Sequence, residues 1–363
     1  MYFLFFVIPL ILLIPVCLYM FFWFRRIFSL FPKISKRVGI ILSAAFSFFC
    51  AYLSWPMYRF GGMVMIHFLA ASIIIDIIYK MLHRKMGQVP EKWDKVYRSG
   101  IISILIVLSI MGYGVVNMRQ VRETRYEITS DKVENSLRIA AISDLHLGTN
   151  MDADKLSEYC SKIVAEKPDI FLLAGDIFDE NTEKEEMKKA AQIFGSVQST
   201  YGTYYVLGNH DPNQYVNKPQ YSMQELCYTL DEAGVTVLQD EVRNLEGLTV
   251  VGREDASRAG RKSTRELVKE AEEGNFILLL DHQPLELKEN AEAGVDLQIS
   301  GHTHAGQIWP TGILMQLLGV SELNYGYQKI DNMNTIVTSG IGGWGYPIRT
   351  GRHCEYIIVD IHA

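Results

Sequence analysis

The sequence predicts a layered α/β domain that follows an all-α membrane region. Residues 1–118 are dominated by four long apolar runs, whereas residues 136–363 have an ordinary globular composition. In this second part apolar segments alternate with amphipathic ones, and five polar clusters each follow an apolar segment. Strands that alternate with helices form layered α/β folds, whose sites lie at the carboxyl ends of the strands. Residues 119–135 are polar and are expected to form a linker.

The four apolar runs cover about residues 2–24, 38–57, 61–82 and 100–118. Each approaches the roughly 20 residues that an α-helix needs to cross a bilayer. A cleaved signal peptide is a poorer interpretation of the first run, because no basic stretch precedes it and three further runs follow. We therefore predict a four-helix transmembrane region and a multi-pass protein of the cell membrane.

Basic residues are distributed unevenly among the segments that connect the runs. The segments after the first and third runs hold five and six Lys or Arg residues, against one after the second run and three after the fourth. Positively charged loops remain in the cytoplasm. If all four runs span the membrane, the N-terminus and the globular domain both lie on the extracytoplasmic face.

Two ionisable residues, His67 and Asp76, lie within the third run. Such groups are costly inside a membrane and often functional. Their separation of nine positions places them on opposite faces of a helix, so they are not expected to pair. Packing between spans is favoured over a role in transport.

The charge and the cysteine content argue against two classes of protein. The net charge is −6 and the second part has no basic stripe, so a nucleic-acid partner is not expected. The five cysteines are scattered and odd in number, which does not fit a disulfide framework. They are expected to be small buried apolar residues.

Between residues 137 and 234 the pattern alternates regularly. Leu156, Tyr159 and Ile163 recur with helical spacing behind a potential N-cap at Asp152 or Asp154, and Gly234 is a helix stop. The apolar runs between such helices predict buried strands. The predicted elements are, in order, strand Leu137–Ser143, helix Lys155–Glu166, strand Asp169–Ala174, helix Thr182–Val197, strand Thr203–Leu207 and helix Ser222–Ala233.

After residue 234 the predicted strands become shorter and follow one another through turns such as Glu246-Gly247. One helix is expected in this part, at Ser263–Glu273. The predicted strands are Val235–Leu238, Val242–Leu245, Leu248–Val251, Phe276–Leu280, Leu297–Ser300, Thr335–Thr338 and Tyr356–Ile361.

The polar clusters carry the chemistry of the chain. Carboxylate, amide and imidazole groups without a thiolate are suited to manganese, iron or zinc. Two such ions side by side activate water and stabilise the transition state of attack on phosphorus. The five clusters are Asp144-Leu-His146, Gly175-Asp176-Ile-Phe-Asp179, Gly208-Asn209-His210-Asp211, His282 and Gly301-His302-Thr-His304.

In order and spacing, these clusters resemble the calcineurin-like metallophosphoesterase superfamily over about residues 136–363. The resemblance implies a four-layer α/β/β/α sandwich that depends on two divalent metal ions. It implies Asp144, His146, Asp176 and His304 as ligands of the first metal, and Asp176, Asn209, His282 and His302 as ligands of the second. Asp176 would bridge the two ions, since a carboxylate has two oxygens.

The resemblance also implies a catalytic pair beside the metals. His210 would touch the phosphate and protonate the leaving group, and Asp211 would orient the imidazole of His210. Asp179 is expected either to buttress a ligand or to cap a helix.

The glycine-rich segment 340–349 follows a predicted strand but precedes no helical pattern, which argues against a dinucleotide site. It is expected to be either a loop at the mouth of the metal site or a surface turn with a packed Trp. In the first case Trp344, Tyr346 and Arg349 would meet the substrate, and Arg349 would contact its phosphate.

Residues 300–310 (SGHTHAGQIWP) are similar to the tail of a membrane-associated bacterial branch of the superfamily. The arrangement of spans and domain also resembles that of transmembrane proteins with a metallophosphoesterase domain. Some members of the branch are phosphodiesterases or are similar to UDP-2,3-diacylglucosamine pyrophosphatases.

The resemblance therefore implies a membrane-anchored enzyme of lipid metabolism. It would cleave phosphodiester or pyrophosphate bonds in lipid head groups or cell-envelope components. One alternative is a tethered phosphodiesterase or phosphatase for soluble nucleotides or other small molecules. Another is a membrane scaffold or transporter that the phosphoesterase domain regulates.

Overall fold

The computed structural model describes residues 2–55, 59–319 and 321–363, and it describes only the backbone of residues 2–9 and 12. The chain divides into two compact units, Met1–Tyr113 and Gly114–Ala363. The first unit is helical, and the second contains all of the polar clusters.

The first unit is built from five helices, the last of which continues into the second unit. They are α1 (Tyr2–Phe28), α2 (Lys36–Leu53), α3 (Phe60–Met86), α4 (Glu91–Ser99) and α5 (Ile101–Met118). Within the described residues, α2, α3 and α5 are long and apolar enough to cross a membrane. The first predicted run forms α1, but nine of its side chains lie outside the described residues. The prediction of four spans therefore stays a prediction, and α4 was not expected.

The two ionisable residues of α3 have partners inside the first unit. Asp76 accepts hydrogen bonds from Arg26 Nη1 at 2.5 Å and from the Tyr19 hydroxyl at 2.8 Å. The buried His67 places Nδ1 2.8 Å from the carbonyl oxygen of Met63. Partners on α1 for Asp76, and on α3 itself for His67, support the interpretation of these residues as structural.

The second unit contains two six-stranded sheets in the described part of the chain. In spatial order the first sheet is β1 (Val121–Thr129), β12 (Cys354–His362), β2 (Leu137–Ile142), β3 (Ile170–Ala174), β4 (Thr203–Val206) and β5 (Val235–Leu238). The second sheet is β10 (Gly326–Ile330), β11 (Met333–Val337), β9 (Leu297–Ser300), β8 (Phe276–Leu280), β7 (Leu248–Gly252) and β6 (Glu241–Leu245).

Parallel strands occupy the middle of each sheet. Strands β2, β3, β4 and β5 are parallel, and β12 lies antiparallel to β2 and parallel to β1. Strands β11, β9, β8 and β7 are parallel, with β10 and β6 antiparallel at the edges. The carboxyl ends of the parallel strands therefore meet along one edge of each sheet, where loops are free to carry a site.

The described part of the second unit contains six further helices. They are α6 (Ala153–Ala165), α7 (Lys184–Gly195), α8 (Met223–Glu232), α9 (Thr264–Val268), α10 (Leu287–Glu292) and α11 (Thr311–Leu317). Of these, α6–α10 cover the sheets. Ile139 and Leu278 belong to a core between the sheets, Leu156 to a core beneath α6–α8, and Leu267 and Leu287 to a core beneath α9 and α10. Three cores separate four layers, which confirms the expected α/β/β/α sandwich.

The linker prediction is wrong for most of its length. Residues Val121–Thr129 form β1, which pairs along its whole length with β12, beginning with Val121 opposite Cys354. Of the nine residues of β1, Ile128 is the one that is buried. The chain thus passes within three residues from the end of α5 into the first sheet. Strand β10 and helices α10 and α11 were also not predicted.

Candidate metal centre

The polar clusters lie on short loops directly after β2, β3, β4, β8 and β9. Five of the predicted ligands have left-handed backbone conformations, which are uncommon for residues other than glycine. Such conformations cluster at functional sites, where the surrounding structure holds them in place. Their φ angles are 51° for Asp144, 44° for His146, 51° for Asp176, 69° for His302 and 49° for His304.

Two glycines in the clusters allow the loops to approach one another closely. A Cβ atom on Gly208 would lie 2.2 Å from Oδ1 of Asp176, and one on Gly301 would lie 2.3 Å from Oδ2 of Asp144. Both distances are far below van der Waals contact, so any side chain at these positions would displace a carboxylate.

The first group of side chains is Asp144, His146 and His304, whose potential ligand atoms all lie within 4.8 Å of one another. Nε2 of His304 is 3.3 Å from Nε2 of His146 and 3.6 Å from Oδ1 of Asp144. The backbone N–H of His302 donates to both oxygens of Asp144, at 2.9 and 3.1 Å, and fixes that carboxylate.

The second group is Asp176, His282 and His302, again with potential ligand atoms within 4.8 Å of one another. Nε2 of His282 lies 3.0 Å from Oδ2 of Asp176. Nδ1 of His282 lies 2.8 Å from the carbonyl oxygen of Ala174, so the ring donates there and presents the lone pair of Nε2 to the site.

Asp176 faces both groups. Its Oδ2 lies 3.0 Å from His282 Nε2 and 4.0 Å from His146 Nε2. Its Oδ1 accepts the backbone N–H of His210 at 2.8 Å, which fixes the plane of the carboxylate. A single oxygen is therefore near the nitrogen ligands of both groups.

The donor set fits two divalent cations. Imidazole nitrogens 3.3 Å apart, as in His146 and His304, repel one another unless a proton or a cation lies between them. Asn209 is nine-tenths buried, and its Oδ1 has no hydrogen-bond partner, which would be costly unless the oxygen met a cation. Nitrogen and oxygen donors of this kind suit manganese, iron or zinc.

Burial and neighbouring charges favour the metal-binding forms of two imidazoles and of the carboxylate of Asp176. Burial, together with His282, lowers the pKa of His302 to about 4, so its imidazole is neutral near pH 7. Burial and the neighbouring His146 hold the pKa of His304 well below its ordinary value. Burial alone would raise the pKa of Asp176, but the adjacent His282 more than offsets this and lowers it.

The imidazole of His210 lies at the edge of the site, with its centroid 5.2 Å from that of His146. Its Nδ1 faces the carboxylate of Glu180 at 3.0 and 3.2 Å. The prediction that Asp211 orients this ring is therefore wrong. The sequence gave no indication of the contact between Glu180 and His210. Glu180 lies just beyond the Gly-Asp-x-x-Asp cluster, and its spacing does not show where its side chain points.

Asp211 instead ties two loops together. Its buried carboxylate accepts the backbone N–H groups of Asp176 at 2.8 Å, Phe178 at 2.9 Å and Gly208 at 2.6 Å, and the hydroxyl of Tyr205. Burial, with a contribution from the charge of Asp176, raises the pKa of Asp211 to about 6. The residue positions the backbone on which Asp176 and Asn209 stand.

Of the two roles considered for Asp179, the geometry favours the buttress. Its Oδ2 lies 3.3 Å from Nδ1 of His146, and its Oδ1 accepts the backbone N–H of Asn181 at 2.8 Å. Helix α7 begins later, at Lys184, with Glu183 as its N-cap. Asp179 therefore lies beside Nδ1 of the His146 ring, whose Nε2 faces the site.

The prediction that Arg349 contacts phosphate is wrong. Its side chain is completely buried and donates to the carbonyl oxygens of Ser339 at 2.9 Å, Gly342 at 2.7 Å and His304 at 3.1 Å. These bonds hold the glycine-rich loop against the loop of His304. Arg349 supports the site without facing solvent.

The two aromatic residues of the same loop are placed differently. Trp344 is 40% exposed, and its ring centroid lies 5.9 Å from that of His210. Tyr346 is half-buried, and its carbonyl oxygen accepts from Gln307 Nε2 at 3.3 Å. Trp344 is therefore close enough to His210 to meet a substrate there, and the contact of Tyr346 with a substrate stays a prediction.

The loop of His282 rests on a buried ion cluster that the sequence did not reveal. The fully buried Asp281 accepts from Arg253 at 3.2 Å and from Arg261 at 3.2 and 3.3 Å. Glu286 accepts from the same two guanidinium groups. The cluster fixes the end of β8 and so the direction of His282.

Known proteins with similar sequences support this architecture. The calcineurin-like phosphoesterase family matches residues 137–306. A metallophosphoesterase of Helicobacter pylori is 31% identical over 235 residues, which are 63% of this chain and 60% of that protein. A metallophosphoesterase of Bacillus subtilis is 31% identical over 60% of this chain and 81% of its own length. A transmembrane protein with metallophosphoesterase domain from Danio rerio is 26% identical over 80% of this chain and 69% of its own length.

Because the Bacillus subtilis protein is matched over most of its length at 31% identity, the chain belongs to the calcineurin-like metallophosphoesterase family. The family implies hydrolysis of phosphoesters with the help of metal ions. The candidate spans α2, α3 and α5 and the similarity to transmembrane proteins support an association with a membrane.

Proposed function

We propose that the protein is a membrane-anchored phosphoesterase that uses two divalent metal ions to cleave phosphodiester or pyrophosphate bonds. Its substrates are lipid head groups or phosphoesters of the cell envelope. The observation that carries the proposal is the position of Asp176, whose Oδ2 lies near nitrogen ligands of both side-chain groups. The family match supports the class of reaction.

By the family resemblance, one ion would be held by Asp144, His146, Asp176 and His304, and the other by Asp176, Asn209, His282 and His302. Within each set, three residues have potential ligand atoms within 4.8 Å of one another, namely Asp144, His146 and His304 in the first and Asp176, His282 and His302 in the second. Bound divalent ions lower the pKa of water and neutralise charge that develops on phosphate oxygens.

His210 acts on the leaving group. Glu180 accepts a hydrogen bond from Nδ1–H of the imidazole and favours the doubly protonated ring, whose Nε2–H would donate its proton to the leaving oxygen. The charge of Glu180 and the nearby Asp176 offset the effect of burial and raise the pKa of His210, so the ring is protonated at a higher pH. Trp344 forms one wall beside this imidazole.

A lipid or envelope substrate is supported by the membrane association of the chain. The surplus of basic residues in the segments after the first and third runs favours the extracytoplasmic face for the second unit, which is where envelope phosphodiesters lie. UDP-sugars are cytoplasmic, so this orientation argues against the diacylglucosamine substrate.

The first test is hydrolysis of bis-p-nitrophenyl phosphate by the full chain in detergent, after chelation and reloading with manganese, iron or zinc in turn. Asp176→Asn is expected to reduce the rate by at least about 100-fold, more than is typical of outer-shell changes. It should also reduce the bound metal, measured by mass spectrometry. The exposed Asp154→Asn is the matched control and should change neither quantity.

The second arm compares phosphatidylglycerol in nanodiscs with soluble cyclic nucleotides and p-nitrophenyl phosphate. Preferential release of the lipid head group is the expected result. Turnover of soluble substrates alone would replace the lipid proposal with a tethered small-molecule enzyme. A folded, metal-loaded chain that turned over none of these compounds would contradict the proposal and favour a regulatory domain.

A further inference from the structure

Helix α11 carries an unusual number of exposed apolar side chains for a segment of the globular unit. We propose that this surface, formed by Trp309, Ile313, Leu314, Leu317 and Leu318, inserts into the lipid bilayer beside the metal site. We call it the α11 surface. The inference concerns where the second unit contacts lipid, and it does not rest on the reaction proposed above.

The apolar residues of the α11 surface are exposed along one face of the helix. Trp309 is 45% exposed, Ile313 56%, Leu314 48%, Leu317 77% and Leu318 76%. Spacings of one, four and five residues place the four aliphatic side chains on one side of a helix. Soluble monomers rarely expose contiguous patches of this kind, and larger ones mark contacts with a membrane or a protein.

The sequence around α11 lacks the charges that a water-exposed helix carries. Residues 297–321 contain no Asp, Glu, Lys or Arg. Charged side chains are the groups most costly to bring into the apolar part of a bilayer. Trp309 adds the side chain that is most typical of the membrane–water boundary, an apolar ring with one polar N–H group.

Contacts within the second unit connect the α11 surface to the end of a candidate span. The last turn of α5, Gly114–Met118, belongs to this unit, and the carbonyl oxygen of Gly114 accepts the backbone N–H of Arg349 at 3.1 Å. Asn117 Nδ2 donates to the carbonyl oxygens of Arg349 at 3.0 Å and Arg352 at 3.2 Å. The glycine-rich loop is thus fixed to the residues where α5 ends.

A single residue, Thr350, lies between α5 and Trp309. A Cβ atom on Gly114 would lie 2.9 Å from Cγ2 of Thr350, which shows how closely the two residues approach. Oγ1 of Thr350 accepts the backbone N–H of Trp309 at 3.1 Å. Because α5 is a candidate span that ends at Met118, its end marks the height of the membrane boundary, and Trp309 lies next to it. This continuity identifies the bilayer as the occupant of the α11 surface.

The α11 surface is also attached to the metal site. A Cβ atom on Gly306 would lie 2.1 Å from the backbone nitrogen of Gly312, so α11 rests directly on the loop that follows His304. Insertion of α11 would bring the phosphate layer of the bilayer beside the ligand loop. A phosphoester in a lipid head group could then reach the site without leaving the membrane.

The test uses the full chain in nanodiscs of phosphatidylethanolamine and phosphatidylglycerol, with a genetically encoded photo-crosslinking amino acid in place of Leu317. The matched control carries the same amino acid in place of Tyr228, which is 61% exposed on α8. Mass spectrometry identifies the adducts after illumination. We expect lipid adducts at position 317 to exceed those at position 228 several-fold.

Two outcomes would overturn the proposal. Equal and low lipid labelling at the two positions would mean that the α11 surface faces water. Adducts to protein at position 317 would mean that a second copy or another chain covers it. Neither result depends on catalysis, so either is distinguishable from failure of the phosphoesterase proposal.

A functional arm uses Leu317→Glu combined with Leu318→Glu, which changes only exposed side chains. If the protein is a lipid phosphoesterase, this variant should lose several-fold in rate on phosphatidylglycerol in nanodiscs. Its rate on bis-p-nitrophenyl phosphate should remain at the wild-type value. An equal loss on both substrates would show a structural role for α11 and would contradict lipid docking.

Discussion

The two units surround acidic side chains with different groups. In the first unit, Asp76 has a guanidinium group at 2.5 Å and a hydroxyl at 2.8 Å, so its charge is offset by neighbours. In the second unit, Asp144 and Asp176 are buried among imidazoles whose nitrogens face one another, and Asn209 Oδ1 has no hydrogen-bond partner. One arrangement is satisfied by protein atoms alone, and the other offers unpaired donors that fit cations.

The difference shows how a structural polar group can be distinguished from a candidate ligand. Both kinds of residue are costly to bury, so burial by itself does not separate them. The orientation of the neighbouring donor groups distinguishes the two kinds of residue. Donors surround Asp76, whereas lone pairs converge on a common point beside Asp176.

The largest expected effect comes from Asp211, a satisfied carboxylate in the second unit. Asp211→Asn replaces an acceptor of three backbone N–H groups with a side chain that presents its own N–H. We expect the free energy of unfolding of the second unit to fall by about 2–4 kcal/mol. Hydrogen exchange of peptides from β3 and β4 measures this loss, with the exposed Asp231→Asn as control.

The same variant distinguishes the structural role of Asp211 from the catalytic one that the family resemblance implied. If protection of β3 and β4 were unchanged while kcat fell, Asp211 would act on His210 and not on the loops. Reduced protection of β3 and β4 in the variant, even where activity is retained, would support the role in positioning the backbone.

A smaller effect is expected from Glu180, the carboxylate that faces His210. Glu180→Gln removes the charge that favours the Nδ1–H form, and kcat should fall by about 10–100-fold with little change in KM. Steady-state kinetics on bis-p-nitrophenyl phosphate measure the two constants. Glu183→Gln, three residues along and exposed, is the matched control.

Glu180→Asp tests whether position or charge matters. The shorter carboxylate should restore part of the lost kcat, because it keeps the charge at a greater distance from Nδ1. A Glu180→Gln enzyme with unchanged kcat would show that the contact between Glu180 and His210 has no part in proton transfer.

The smallest effect is expected in the first unit. The coupling between Asp76 and Arg26, measured by a double-mutant cycle with Asp76→Asn and Arg26→Gln, should be about 0.6 kcal/mol, as for other polar pairs in membranes. Hydrogen exchange of α1 and α3 gives the four free energies. The rate on soluble diesters should not change, and a clear change would show that the pair takes part in the reaction.

The pattern of the chain predicts alternating strands and helices with polar clusters after the strands, and the family resemblance adds the four layers and the two ligand groups. Apolar runs such as Ile170–Ala174 mark buried strands, and the clusters after them hold Asp, Asn and His in a characteristic order. The family resemblance implied two groups of ligands. In the structure, three members of each group lie close together.

What the sequence did not reveal depends on contacts between distant segments. Strand β1 has exposed charged residues on one face and was taken for a linker, because its partner β12 lies at the other end of the domain. A basic residue in a glycine-rich loop suggested phosphate binding, but Arg349 is buried among carbonyl oxygens. The direction of Glu180 toward His210 likewise follows from the fold and from no local pattern.

The position of β12 has a consequence for how the protein is made. This strand lies between the edge strand β1 and β2, so β1 is not joined to the rest of the first sheet until residues Cys354–His362 have been synthesised. Strand β1 emerges early, directly after α5, and must wait with both edges unpaired beside a membrane. Pairings between segments so far apart form slowly and leave strand edges open to wrong partners. Completion of the sheet therefore has to follow the synthesis of β12, and until then β1 lacks the strand with which it pairs.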